Sequence, residues 1–287
     1  MIDLFPPFDP GRRGIRRRHQ LRIRRLPMRL ILPNLVTLFA LCSGLTAVRM
    51  ALENRYDLAI LAVVFAAVLD GLDGRVARML KSTSRFGAEL DSLTDFVNFG
   101  VAPGVLLYCW TLRDLHSIGW IVVLVFSIAA ALRLARFNVA LDDVGRPAWQ
   151  ANFFTGVPSP AGAICALLPI NLGLLGVIEP GRETAIVVAF YTVAMGLLMV
   201  SQLPTFSGKK LGKRVRRDLV LPLFVCVVLV GALFVSYPFE MFTLGSVIYL
   251  AFLPAGAIWW RRLAAADEAS HKPASPEEQP AAPPPAA

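Results

Sequence analysis

Eight apolar runs dominate the chain, at residues 32–52, 56–80, 86–110, 118–141, 155–178, 184–203, 219–237 and 241–260. Each is close to the roughly 20 helical residues needed to cross a hydrocarbon layer. Lipid offers the backbone no hydrogen-bond partners, so such runs must satisfy their own amides as helices. The fold class expected is all-α: a polytopic integral membrane protein with about eight transmembrane helices. Composition agrees, with 56% hydrophobic residues, 17% charged residues and a mean hydropathy of +0.59, outside the range of ordinary soluble domains.

The formal net charge of +9 is best explained by topology rather than by nucleic-acid binding, because the basic residues alternate with the apolar runs. An even number of spans puts both ends on one side. With the N-terminus inside, the inner segments hold 24 of the 29 Lys and Arg, while Arg49, Arg55, Arg113 and Arg182 fall outside and Lys272 lies in the tail. This one-sided split supports a multi-pass protein of the cell membrane with cytoplasmic termini. The N-terminus has no apolar stretch ahead of its basic residues, so no cleavable leader is expected. Arg12 to Arg29 form a basic segment that holds the N-terminus inside and can attract anionic lipid. Trp110, Trp120, Trp259 and Trp260 lie near span ends, where interfacial anchors belong. The four cysteines, Cys42, Cys109, Cys165 and Cys226, fall singly in apolar sequence and read as buried, inert thiols. Residues 264–287 turn to Ala, Pro and Glu and are expected to be a disordered tail.

Four aspartates break this apolar background. Asp70 and Asp73 are three apart, Asp91 and Asp95 four apart, so each pair shares one helix face. A lone carboxylate at the centre of a membrane helix costs ~2.5–3.5 kcal/mol even on the lenient insertion scale, so four require compensating charge. Asp70 lies about 21 Å down a helix that starts at Tyr56 on the outer side, which places it in the inner half. Asp91 and Asp95 enter from the same side. Oxygen-only ligation by paired carboxylates suits Mg²⁺ or Mn²⁺ better than zinc. Two such ions are a recurring device for displacement at phosphorus. Arg78 adds a planar cation suited to phosphate, and Gly74, Ala77 and Gly87 are small enough to let a nucleotide approach. Taken singly, the small residues read as helix-packing devices and the Asp73–Arg78 combination as an intramembrane ion pair or a proton relay. A cation-coupled transporter is therefore a competing class. A phospholipase-D-like chemistry is excluded, because none of His19, His116 and His271 is followed two residues on by Lys.

The complete pattern, Asp70-x2-Asp73-Gly74-x2-Ala77-Arg78-x8-Gly87-x3-Asp91-x3-Asp95, resembles the CDP-alcohol phosphotransferase motif at every fixed position. Members of that family are integral membrane enzymes that transfer a phosphatidyl-type group from a CDP-linked lipid to an alcohol and release CMP. Further stretches resemble the phosphatidylserine synthase branch: P-N-L-V-T-L at 33–38, D-F-V-N-F-G-V-A-P at 95–103, L-R-L-A-R-F-N at 132–138 and F-T-G-V-P-S-P-A at 154–161. The resemblance covers residues 32–217. It implies a six-helix catalytic core and divides the chain into a basic cytoplasmic segment (1–30), a catalytic transmembrane core (31–217), two additional transmembrane helices (218–263) and the tail (264–287). It further implies that Asp70, Asp73, Asp91 and Asp95 hold divalent metal, two ions of Mg²⁺ or Mn²⁺, with Asp95 also the catalytic base. Gly74, Ala77, Arg78 and Gly87, with Asn34 and Thr37 of the first span, would bind CDP-diacylglycerol. The acceptor implied is L-serine, with Arg133 and Arg136 as candidates for its carboxylate. Choline, glycerol 3-phosphate or inositol phosphate are the alternative acceptors. A homodimer is expected, and no nucleic-acid partner.

Overall fold

The computed structural model describes residues 28–80, 84–141, 153–201, 204–206 and 220–271. The basic N-terminal segment, the basic stretch from Lys209 to Arg217 and the end of the Pro-rich tail lie outside them.

The architecture is helical, with one short exception. In order come α1 (Met28–Leu52), α2 (Tyr56–Met79), α3 (Arg85–Asp95), a π-helical segment (Phe96–Val101) and α4 (Ala102–Trp110). A short 3₁₀ turn (Leu112–Leu115) leads into α5 (Ser117–Leu141), followed by β1 (Phe153–Thr155), α6 (Ser159–Ala166), α7 (Leu168–Leu174) and α8 (Arg182–Val200). β2 (Pro204–Phe206), α9 (Val220–Ser236) and α10 (Pro238–His271) complete the order. β1 and β2 form a two-stranded antiparallel ladder with Phe153 opposite Phe206.

Within the described residues, all eight apolar runs lie largely on helices. Four helical runs are long and apolar enough to cross a membrane, or five if the bent α9–α10 pair is one span. Three features separate this count from the eight apolar runs. α2 has 24 residues but carries Asp57, Asp70, Asp73, Arg75 and Arg78. The run at 155–178 is split at Leu167 into two short helices, where Pro169 lacks the N–H that would continue a regular ladder. α9 and α10 meet at 117°.

The bundle closes on small and branched residues. α1 turns Ala40, Ala47 and Ala51 inward, all at most 1% exposed, and this lets α1 and α2 lie close together. Ser43 Oγ donates to the Ala62 carbonyl across that contact at 2.7 Å. Ile60 and Val63 of α2, Leu106 and Leu107 of α4, Phe126 of α5, Ile170 of α7 and Met199 of α8 fill the centre. α10 packs against α6, α7 and β2, whereas every residue of α9 is exposed. Large apolar side chains such as Phe65, Phe190 and Leu221 cover the outer surface, as a lipid-facing exterior requires.

Two expectations are corrected here. Trp110 is buried in the core rather than anchored at an interface, because α7 packs so closely that a Cβ on Gly173 would stand 2.5 Å from its ring. Trp120 is exposed and stacks edge-on with Tyr108. Of the cysteines only Cys165 is buried; Cys42 and Cys226 face outward and Cys109 is half-buried. An apolar sequence context marks both the core and the lipid-facing surface in a membrane protein, so it does not separate them.

Candidate active site

The last turns of α2 and the first turns of α3 bring the acids together. α3 starts cleanly because Ser84, in extended backbone, accepts the Gly87 N–H on its Oγ at 3.0 Å. From that start, Asp91 and Asp95 fall one turn apart on the face toward α2. Asp70, Asp91 and Asp95 each present an oxygen such that the three lie within 4.8 Å of one another. Asp73, 5% exposed, is turned toward α1 instead: its Oδ2 lies 2.7 Å from Thr37 Oγ1. The same hydroxyl is 3.2 Å from the Pro33 carbonyl, and its one proton goes to the nearer, charged acceptor. Asp73 remains close enough to Asp70 and Asp91 to interact electrostatically with both.

This donor set fits a divalent cation. It consists of carboxylate oxygens alone, converging at ligating separation, and Asp95 Oδ1 is buried without a hydrogen-bond partner among the described residues. Hard ions such as Mg²⁺ take such ligands. Without a cation, the carboxylates would have the buried Arg133 guanidinium as their neighbouring cation among the described residues.

Two cavities meet at Asp91. The first, about 420 Å³, is lined by Pro33, Asn34, Thr37, Asp73, Gly74, Ala77, Arg78, Ser84, Gly87, Ala88 and Asp91. All six residues expected to contact a CDP-linked lipid therefore line one space. Gly74 is open: a Cβ there would meet nothing within 4 Å, so its small size is not used for helix packing. Gly87 is the opposite case: a Cβ would stand 2.9 Å from Asn34 Oδ1 and 3.1 Å from Ser84 Oγ, so a larger residue there would displace the Asn34 amide. The second cavity, about 400 Å³, is lined by Arg85, Ala88, Glu89, Asp91, Ser92, Asp95, Leu134, Phe137, Asn138 and Val139. Asp95 belongs to this cavity, and Asp91 to both.

The two arginines of α5 part ways. Arg133 is buried; it donates to Ser159 Oγ, lies 5.6 Å from the Phe137 ring centre and is within electrostatic reach of Asp95 and Asp70. Arg136 donates to the Val200 carbonyl at the C-terminal end of α8, an acceptor that the helix leaves without an internal partner. Only Arg133 is thus brought near the acids.

Several residues of this region escape a reading based on the acids. Ser84, Ser92, Asn138, Arg85 and Glu89 border the cavities, and Asn138 donates to Ser92 Oγ at 2.9 Å. Ser84 has a legible signal as a capping residue before α3. The Ser92–Asn138 bond joins residues 46 apart and has none.

Comparison with known proteins is consistent with this geometry. The family model described as CDP-alcohol phosphatidyltransferase matches residues 30–266. A CDP-diacylglycerol–serine O-phosphatidyltransferase of Mycobacterium leprae is 51% identical over 137 residues, covering 48% of this chain and 45% of the relative. One of Mycobacterium bovis is 43% identical over 178 residues, 61% of this chain and 60% of the relative. The chain thus spans about half to three fifths of the length of these mycobacterial relatives. A relative of the same name from Helicobacter pylori is 34% identical over 232 residues, 80% of this chain and 91% of the relative. With the aspartate pattern, the converging carboxylates and a family match over most of its length, the chain belongs to the CDP-alcohol phosphatidyltransferase family.

Proposed function

We propose that the protein transfers the phosphatidyl group of CDP-diacylglycerol to the hydroxyl of L-serine, giving phosphatidylserine and CMP. The observation that carries this reading is the pair of cavities meeting at Asp91, one bordered by the small residues and Arg78, the other by Asp95. The activity for which the curated relatives are named supports the same donor and acceptor. The family is generally divalent-metal dependent, and Asp70, Asp91 and Asp95, with Asp73 beside them, would hold two ions of Mg²⁺ or Mn²⁺. When bound, such ions neutralise charge on the pyrophosphate and on the departing phosphate.

The remaining work falls to side chains. Asn34, Thr37, Gly74, Ala77 and Gly87 would shape the space for cytidine and its phosphates, and Arg78 would meet a phosphate oxygen. From the second cavity the serine hydroxyl attacks the lipid-side phosphorus. Asp95 takes its proton, the bond from that phosphorus to the bridging oxygen breaks, and CMP leaves. Arg133 is the candidate partner for the serine carboxylate; Arg136, held on Val200, is the weaker one. In this reading the site opens to the cytoplasm, where both termini also lie, residues 31–217 carry the catalytic groups, and the enzyme works as a homodimer in the cell membrane.

The test is an acceptor panel. Purified protein in detergent with Mg²⁺ or Mn²⁺ and CDP-diacylglycerol is offered labelled serine, choline, glycerol 3-phosphate and inositol phosphate. Phosphatidylserine with stoichiometric CMP is the expected product. CMP release with another alcohol alone would move the protein to a different acceptor within its family.

A further inference from the structure

The chain passes from the acids to the α4 core through a π-helical segment, Phe96–Val101, directly after Asp95. Single π turns inside α-helices cluster at functional sites, and the extra residue rotates the helix faces on its two sides relative to each other. Here it lets the Asp91–Asp95 face and the buried α4 face each meet its own partners. Ser127 Oγ donates to the Gly100 carbonyl at 3.0 Å, a side-chain contact to the π segment from α5.

Asn98 of this segment meets α1 at Gly44. Asn98 is 0% exposed, and neither its amide nitrogen nor its amide oxygen has a hydrogen-bond partner among the described residues. Its side chain points at Gly44: a Cβ there would lie 2.0 Å from Asn98 Oδ1, 2.8 Å from Cγ and 3.3 Å from the Asn98 Cα. Being wholly enclosed, the amide has no solvent-facing rotamer into which it can retreat. Gly44 sits two helical turns beyond Thr37 on α1, and Asn98 about one turn beyond Asp95. The α1 helix that holds Asp73 through Thr37 is thereby pressed against the segment that directly follows Asp95.

We propose that Asn98, seated in the notch left by Gly44, is a positioning residue that sets the register between α1 and α3, and so the place of Asp95 beside the other acids. A buried amide left unpaired lowers stability and calls for a reason. Its retention is explained by geometry: a flat amide edge fills the glycine notch and fixes the π turn. The assay arm rests on the transferase reading; a second arm does not.

The test is a Gly44→Ala, Asn98→Ala and double-variant series. Gly44→Ala should lower kcat at least tenfold with the KM for CDP-diacylglycerol within twofold, and adding Asn98→Ala should restore kcat to that of Asn98→Ala alone. Asn98→Ala by itself should lower kcat by clearly less than Gly44→Ala does and without lowering thermal stability, which separates positioning from packing. Independently of activity, the Asn34→Cys/Gly87→Cys pair reports the α1–α3 approach through disulfide yield, read by mass spectrometry of the linked peptides. Gly44→Ala should reduce that yield and the added Asn98→Ala should recover it. Wild-type kcat and cross-link yield in Gly44→Ala, or a double variant no better than Gly44→Ala, would overturn the proposal. A wild-type protein without transferase activity would defeat the proposed function while the cross-link arm still decides this one.

Discussion

Thr37→Val removes one proton donor from the site and almost nothing else. Thr37 is 4% exposed and Asp73 5% exposed, so water in the adjoining cavity replaces only in part the partner that the carboxylate loses at 2.7 Å. A hydrogen bond to a charged group is worth about 1.5–3 kcal/mol. The methyl that replaces the hydroxyl is buried and returns up to about 0.8 kcal/mol, while Val and Thr differ little in helix propensity. The net loss is about 1–2 kcal/mol, a factor of about 5–30 in the folding equilibrium. The measurement is reversible unfolding of the metal-free protein in mixed micelles, beside the KM for CDP-diacylglycerol. Thr37→Ser keeps the hydroxyl and loses only a buried methyl, about 0.8 kcal/mol, so it should leave the KM for CDP-diacylglycerol at the wild-type value. Thr37→Val should also raise that KM, since Thr37 and Asp73 both border the Asn34–Arg78 cavity. A Thr37→Val protein as stable as wild type, with unchanged KM, would refute the reasoning that Thr37 holds Asp73.

Asp95→Asn should reduce kcat by about 10²–10⁴, the usual contribution of a positioned base, while CDP-diacylglycerol binding, measured directly, changes by only a few fold. Equal loss of both would make Asp95 chiefly a ligand. Gly74→Ala should fold at least as well as wild type, because its Cβ meets nothing and Ala favours helix by about 1 kcal/mol. Its KM for CDP-diacylglycerol should nevertheless rise; an unchanged KM would remove Gly74 from the donor cavity. The α5 arginines should separate: Arg133→Ala raises the KM for serine, whereas Arg136→Ala lowers thermal stability by uncapping Val200 and leaves the serine KM unchanged. Chelation should abolish CMP release, and Mg²⁺ or Mn²⁺ should restore it, since the carboxylate cluster is the donor set.

The sequence by itself determined the helices and the chemistry, because both are written in local periodicity. Apolar runs of membrane length must be helical, and acids three or four residues apart must share a face. Asp70, Asp73, Asp91 and Asp95 were for that reason legible as two pairs, and Gly74, Ala77, Arg78 and Gly87 as their companions through the motif; Asn34 and Thr37 were legible through the resembling stretch at 33–38. Tertiary structure decided what depends on distant partners. It turned Asp73 toward Thr37 and away from the three-acid cluster, and it sent Arg136 to Val200 while keeping Arg133 near Asp95. It buried Trp110 and left Cys42 on the outside. It also inserted the π turn after Asp95 and set Asn98 against Gly44. Spacing along the chain carries no trace of these contacts, because each joins residues on separate helices whose approach is fixed by how the whole bundle packs.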